Sequence, residues 1–62
     1  MKLKEFLDMY DNWNGNTRVN DNNLKTIIEG KTSTIYETRA DLLEKEVVAF
    51  GFYDNVLAIR VK

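Results

Sequence analysis

Apolar positions at the start of the chain recur with helical spacing. Leu3, Phe6, Leu7 and Tyr10 stand at i, i+3, i+4 and i+7, one face of a helix. Lys2, Lys4, Glu5 and Asp8 fall outside that stripe, so the spacing predicts a helix over 2–11. The stretch "DNWNGN" then breaks the pattern. Gly15 can take φ > 0 and Asn14 tolerates it, which predicts the helix stop. "TRVN" and "LKTIIEG" follow, divided by "DNN". Thr, Val and Ile favour extended chain and the Asp-Asn-Asn run favours a turn, so a hairpin is expected with strands near 17–20 and 24–29, ended by Gly30. Ile27 and Ile28 point to opposite faces, and the register of this hairpin stays open.

The segment "KTSTIYETRADLLEKE" has two overlapping starts. Thr34 with Glu37 has capping-box spacing, and Thr38 with Asp41 repeats it with a shorter acid. One helix from about 34 to 45 and two short turns both fit. The stripe Ile35, Arg39, Leu42, Leu43 favours a helix over 38–45 with less regular structure before it. The C-terminal pattern is clearer. "EVVAFGFY", "DN" and "VLAIRVK" read as a β-hairpin whose two-residue turn is Asp54-Asn55, since both residues tolerate left-handed φ. That turn pairs Phe52 with Leu57, Phe50 with Ile59 and Val48 with Val61, six apolar residues on one face. Val47, Ala49, Gly51, Tyr53, Val56, Ala58 and Arg60 take the other.

Helix, hairpin, helix, hairpin is an αββαββ order. It predicts an α+β domain over residues 1–62: a four-stranded, mostly antiparallel sheet with helices packed on one face. The αββ unit repeats in element order but not in residue identity.

Composition narrows the function. At 62 residues the chain is one small domain. A chain of this size buries only about 60% of its unfolded surface and commonly needs disulfides, a metal or self-association. It has no Cys, which removes disulfides and thiolate metal sites, and no His, which removes the commonest metal ligand and general base. Self-association is left. Hydrophobic content of 44% with 31% charge is that of a folded domain. A net charge of −1 offers no basic field for nucleic acid, and the basic residues Arg18, Lys25, Lys31 and Arg39 are interleaved with acids. No apolar run is long enough for a membrane span or a signal peptide, so the expected location is the cytoplasm.

Candidate chemistry is sparse. "YDNWNGNTRVND" approaches a calcium loop: Asn12, Asn14 and Gly15 match the third, fifth and sixth places. However, Tyr10 replaces the first acid and Asp21 stands for the closing Glu. A nucleophile such as Ser33 has no His or Cys to work with. The carboxylate pairs Asp8/Asp11 and Glu37/Asp41 read as solvated faces and caps. No cofactor, metal or catalytic residue is expected, and the chain is not read as an enzyme. Binding remains. The second face of the C-terminal hairpin carries small apolar residues, so Val47, Ala49, Gly51, Val56 and Ala58 are the expected interface of a homodimer or larger assembly. Trp13, Asn12, Asn16, Arg18, Tyr53 and Arg60 are the candidate partner or ligand contacts. Trp13 offers a stacking plate, the asparagines offer uncharged donors and acceptors, and the arginines can meet a phosphate. The ring spacing of Phe6, Tyr10 and Trp13 also predicts Trp13 as a lid on the first helix.

The amphipathic "MKLKEFLDMYDN" start, the polar hairpin, "DLLEKEVVAFGFYDN" and the closing "VLAIRVK" together resemble small αββαββ proteins of phages and mobile elements of Gram-positive bacteria. Small phage proteins of this kind include counter-defence factors, some blocking a host protein and others sequestering a nucleotide signal. The resemblance implies a non-catalytic, stoichiometric binding protein, acting on a host protein or as a sponge that holds a small nucleotide, which a homo-oligomer of this size would seat in a pocket between subunits. It transfers no site residue.

Overall fold

The computed structural model describes all residues, 1–62, in the order α1 (Leu3–Asp8), β1 (Asn16–Asn20), β2 (Thr26–Lys31), α2 (Thr32–Thr38), α3 (Ala40–Leu43), β3 (Val47–Tyr53) and β4 (Val56–Val61). The fold is α+β, with one four-stranded mixed sheet in the order β2-β1-β4-β3. Both hairpins, β1–β2 and β3–β4, are antiparallel, and the central pair β1–β4 is parallel. The αββ repetition in element order does not extend to the sheet. A twofold repeat would set β1 beside β3 or β2 beside β4, and neither neighbours the other.

Helix α1 is shorter than the apolar spacing predicts. Glu5 closes its start by accepting the Lys2 backbone N–H at 2.8 Å. At its end Met9 N–H and Tyr10 N–H bond back to Phe6 and Leu7, three residues away rather than four, and the tightened turn stops the helix. The following loop does not use left-handed glycine. Gly15 has no positive φ. It is there for space, because a Cβ would lie 2.6 Å from Asn12 Nδ2.

The segment after β2 also departs from expectation. Strand β2 runs past Gly30 to Lys31, and α2 starts at the next residue. A single break at Arg39 (φ −122°, ψ 63°) then separates α2 from α3. The helix expected over 38–45 is replaced by two short helices, with regular structure where less was expected. Arg39 N–H still bonds to Ile35 C=O, while Leu42 N–H and Leu43 N–H both take Arg39 C=O, so the one extended residue serves both helices.

The core collects Leu3 and Leu7 of α1, Leu42 and Leu43 of α3, Val19 of β1 and Leu57, Ile59 and Val61 of β4. Strand period two explains the selection, since Leu57, Ile59 and Val61 share one side of β4. Two buried polar residues accompany them. Thr17 and Thr32 are fully buried and their hydroxyls lie 2.6 Å apart. Thr32 Oγ1 donates to Gly15 C=O at 3.0 Å, so its proton is used there and Thr17 is the donor to Thr32.

The C-terminal hairpin turns at Asp54 (φ 53°) and Asn55 (φ 65°), the mirror-image turn that the sequence predicts. Phe52 pairs with Leu57 and Phe50 with Ile59 as expected. The third pair differs. A bulge between Val47 and Ala49 sets Val47, not Val48, opposite Val61, and Val47 packs against the core instead of joining the second face. The larger correction concerns Phe50 and Phe52. They share a side with core residues yet are 62% and 58% exposed, because β3 is the edge of the sheet.

Candidate functional site

Strand register assembles the open side of the sheet in rows. Lys31, Asn16, Val56 and Tyr53 form one; Glu29, Arg18, Ala58 and Gly51 form the next. Thr26, Asn20, Arg60 and Ala49 form the third. Four of the candidate residues, Asn16, Arg18, Tyr53 and Arg60, therefore share one face with Ala49, Gly51, Val56 and Ala58 of the expected interface. The small residues leave a shallow floor. Tyr53 leans across it: a Cβ on Gly51 would meet Tyr53 Oη at 2.9 Å.

The charges on this face differ in their commitments. Arg18 Nε donates to Glu29 Oε1 at 2.8 Å, and this hydrogen bond raises the Arg18 pKa. Asn20 Oδ1 accepts from Thr26 Oγ1 at 2.9 Å. Arg60 takes part in none of the ion pairs, and no group of the chain accepts from its guanidinium; its Nε is buried without a partner. A concavity of about 130 Å³ opens beside it, lined by Asn20, Leu24, Ala49, Phe50, Gly51, Tyr53, Ala58 and Arg60. Leu24 reaches this rim from the β1–β2 turn, where its φ of 66° is unusual for a leucine. Asp21 fixes that turn, its Oδ1 accepting from the N–H groups of Asn23 and Lys25 at 2.8 and 3.0 Å. The near-calcium motif thus spends its last acid on a turn.

A second surface flanks the other side of β3. Met1, Phe6, Met9, Val47, Val48, Ala49 and Phe50, all hydrophobic residues, line an open groove of about 640 Å³. Phe6 meets Phe50 edge-on at 4.8 Å between ring centres, and Tyr10 lies 6.1 Å from Phe52. Met9 and Val48 are also exposed. Beside this groove the outer edge of β3 is free from Val48 onward. Only its approach is covered, where Val47 N–H bonds to Met1 C=O and Lys2 bridges Glu46. Tyr53 and Val56 close the turn as a hydrogen-bonded pair, so alternation turns the backbone groups of Phe52 and Phe50 outward.

Trp13 stands apart from both surfaces. Its ring packs edge-on against Tyr36 of α2 at 4.7 Å, and its C=O accepts from Ser33 N–H. It is half-buried and covers α2, which corrects the expected lid on the first helix. Asn12 lies against Gly15. Tyr36 Oη donates to Asp8 Oδ1 at 2.6 Å and Lys4 Nζ donates to Asp8 Oδ2 at 3.0 Å. The Tyr36 hydroxyl first, and Lys4 second, hold the Asp8 carboxyl below the usual range. This cluster ties α1 to α2, and the stacking plate is not brought to the arginines.

Sequence reasoning missed the exposed Met1, Met9, Phe50 and Phe52, and it missed Asn20 and Leu24 at the concavity. Only Leu24 left a signal, an aliphatic residue within the polar turn "DNNLK". No helix is long and apolar enough to cross a membrane. No protein-family model, curated protein or solved structure matches the chain.

Proposed function

We propose that this chain is a non-catalytic binding protein that acts stoichiometrically as a homo-oligomer, its subunits joined along strand β3. The observation that carries the reading is the free β3 edge with Val48, Phe50 and Phe52 exposed along it. An edge strand without charge is a template for another strand, and folded proteins usually guard such edges with charges or bulges. The opposite edge, β2, carries Glu29, Lys31 and a bulge. Strand β3 carries no charged residue, and its one bulge lies at its start.

A second copy suits the edge because the pairing is self-complementary. Antiparallel pairing about Gly51 sets Phe50 of one copy opposite Phe52 of the other, with about four backbone hydrogen bonds. The apolar grooves then lie on the same side of a continuous eight-stranded sheet. The Met1–Lys2 segment at the approach to β3 limits the overlap to this central stretch. The expected interface through the face of Ala49, Gly51, Val56 and Ala58 is replaced in this proposal by the edge beside it. A counter-defence setting, in which the assembled protein docks on a host protein, rests on the layout resemblance alone and belongs to the proposal.

Light scattering after size exclusion tests the assembly. The expected mass is at least twice the 7.3 kDa of one chain, falling to that of one chain in Phe52→Lys with its circular dichroism retained. A wild-type mass of one chain throughout a concentration series refutes the edge pairing.

A further inference from the structure

We propose that the concavity on the open side of the sheet binds the oxyanion end of a small aromatic anion, a phosphate or carboxylate carried on a flat ring, with Arg60 as its receptor. The groups all belong to one copy, so the site stands independently of the pairing along β3.

Three observations converge here. The first is Arg60. A surface arginine ordinarily lays its stem on apolar neighbours and extends its head into water, where all its donors are met. Arg60 instead has a buried Nε with no acceptor in the chain. Its terminal nitrogens also have no acceptor in the chain, and they stay accessible. A planar fork of donors with no committed carboxylate matches two oxygens of a phosphate or carboxylate. Arg18 shows the alternative, since Glu29 occupies it.

The second is Leu24. A left-handed backbone disfavours a leucine, and such conformations gather where a side chain is needed in a particular place. Leu24 is 66% exposed and stands on the rim of the concavity, opposite Tyr53, which is 64% exposed. The pair forms apolar walls for the body of a ligand.

The third is scale. About 130 Å³ is well below the several hundred Å³ that enclose a whole drug-sized ligand. The recess seats a charged end group, while the ring it is attached to rests between Tyr53 and Leu24. Asn20 faces Arg60 across the strand pair and supplies an amide donor to the same group.

Titration of the ¹⁵N-labelled protein with adenosine 5′-monophosphate tests the site, with adenosine and inorganic phosphate as separate arms. The nucleotide is expected to shift the amide signals of Asn20, Gly51 and Tyr53 and the Nε–H signal of Arg60. Adenosine should bind far more weakly. Arg60→Gln should weaken nucleotide binding by about tenfold or more. Leu24→Gly, which relieves the backbone, should melt higher yet bind more weakly. Phosphate bound more weakly than the nucleotide, with shifts confined to Asn20 and Arg60, upholds the division into anion seat and ring walls. Absence of shifts at millimolar nucleotide, adenosine binding as well as the nucleotide, or an unchanged Kd in Arg60→Gln overturns the proposal. Repeating the titration on Phe52→Lys, a position outside the concavity, keeps a failure of the site distinct from a failure of the edge pairing.

Discussion

Replacing Thr32 by Val removes one oxygen that does two things. Its hydroxyl donates to Gly15 C=O at 3.0 Å and accepts from Thr17 at 2.6 Å, all within a fully buried pair. Gly15 C=O keeps one partner, the Thr32 backbone N–H at 2.9 Å, so its loss is partial. Thr17 loses its only acceptor and is left as a buried donor, which costs about 1–3 kcal/mol, and the loss of the second bond adds about 1 kcal/mol. The opposite change, Thr17→Val, leaves Thr32 still donating to Gly15 and costs only about 1 kcal/mol. The single substitutions are therefore unequal, and the double variant costs less than their sum because no orphaned donor remains. Urea melts of the four proteins give the cycle directly. A 1 kcal/mol loss corresponds to about 4–8 °C in Tm for a domain of this size, so the summed cost of about 2–4 kcal/mol should lower the melting temperature of Thr32→Val by about 8–32 °C. Equal single effects, or an additive double variant, refute the assigned direction of the Thr17–Thr32 hydrogen bond.

Four further outcomes are expected. Leu24→Gly relieves a left-handed leucine and should raise stability by about 1 kcal/mol, read from the same melts. Gly51→Ala places a methyl against Tyr53, whose side chain can swing away; stability changes little, but the Tyr53 ring loses its nuclear Overhauser contacts to residue 51. Tyr36→Phe removes the leading cause of the lowered Asp8 pKa, so carbon-detected titration should show that pKa rise, and by more than in Lys4→Met. Asp8, Asp41, Glu44 and Glu46 are all held below the ordinary carboxylate range, chiefly by hydrogen bonds from Tyr36, Arg39, Lys2 and the N-terminus. The folded chain thus binds fewer protons than the unfolded one, and stability present above that range should fall as pH drops through it. A melting temperature that is flat from pH 6 to about 3 counts against these pairings.

Local chemistry made part of the fold legible. Asp54-Asn55 specified the hairpin turn, and turn geometry then fixed Phe52 with Leu57 and Phe50 with Ile59. Helical spacing found Leu3 and Leu7. What stayed hidden was set by distant partners. Alternation assigns Phe50 to the core side correctly, but its exposure depends on β3 having no outer neighbour, a property of strand order. The break at Arg39 left a trace in the two overlapping starts at Thr34 and Thr38, though the stripe Ile35, Arg39, Leu42, Leu43 favoured one helix over it; the bulge at Val48 leaves no mark in residue type. For the candidate site, Arg18, Tyr53 and Arg60 were found by chemistry, yet their grouping with Trp13 failed because the loop turns the indole toward Tyr36.

The parallel pairing at the centre of the sheet governs how the chain reaches this state. β1 meets β4 in register from Asn16 with Val56 to Asn20 with Arg60, residues forty apart in the chain. Each hairpin forms from near neighbours, but the seam between them closes only when the last strand arrives, and it brings Leu57, Ile59 and Val61 with it. Long closures of this kind slow folding, because loop entropy is spent before the contacts that repay it are made. Until β4 docks, Val19, Leu7 and the α3 leucines lack the Leu57, Ile59 and Val61 side of their core. A chain stopped before β4 is therefore expected to leave β1 and β3 without the strand that lies between them, each with an open edge.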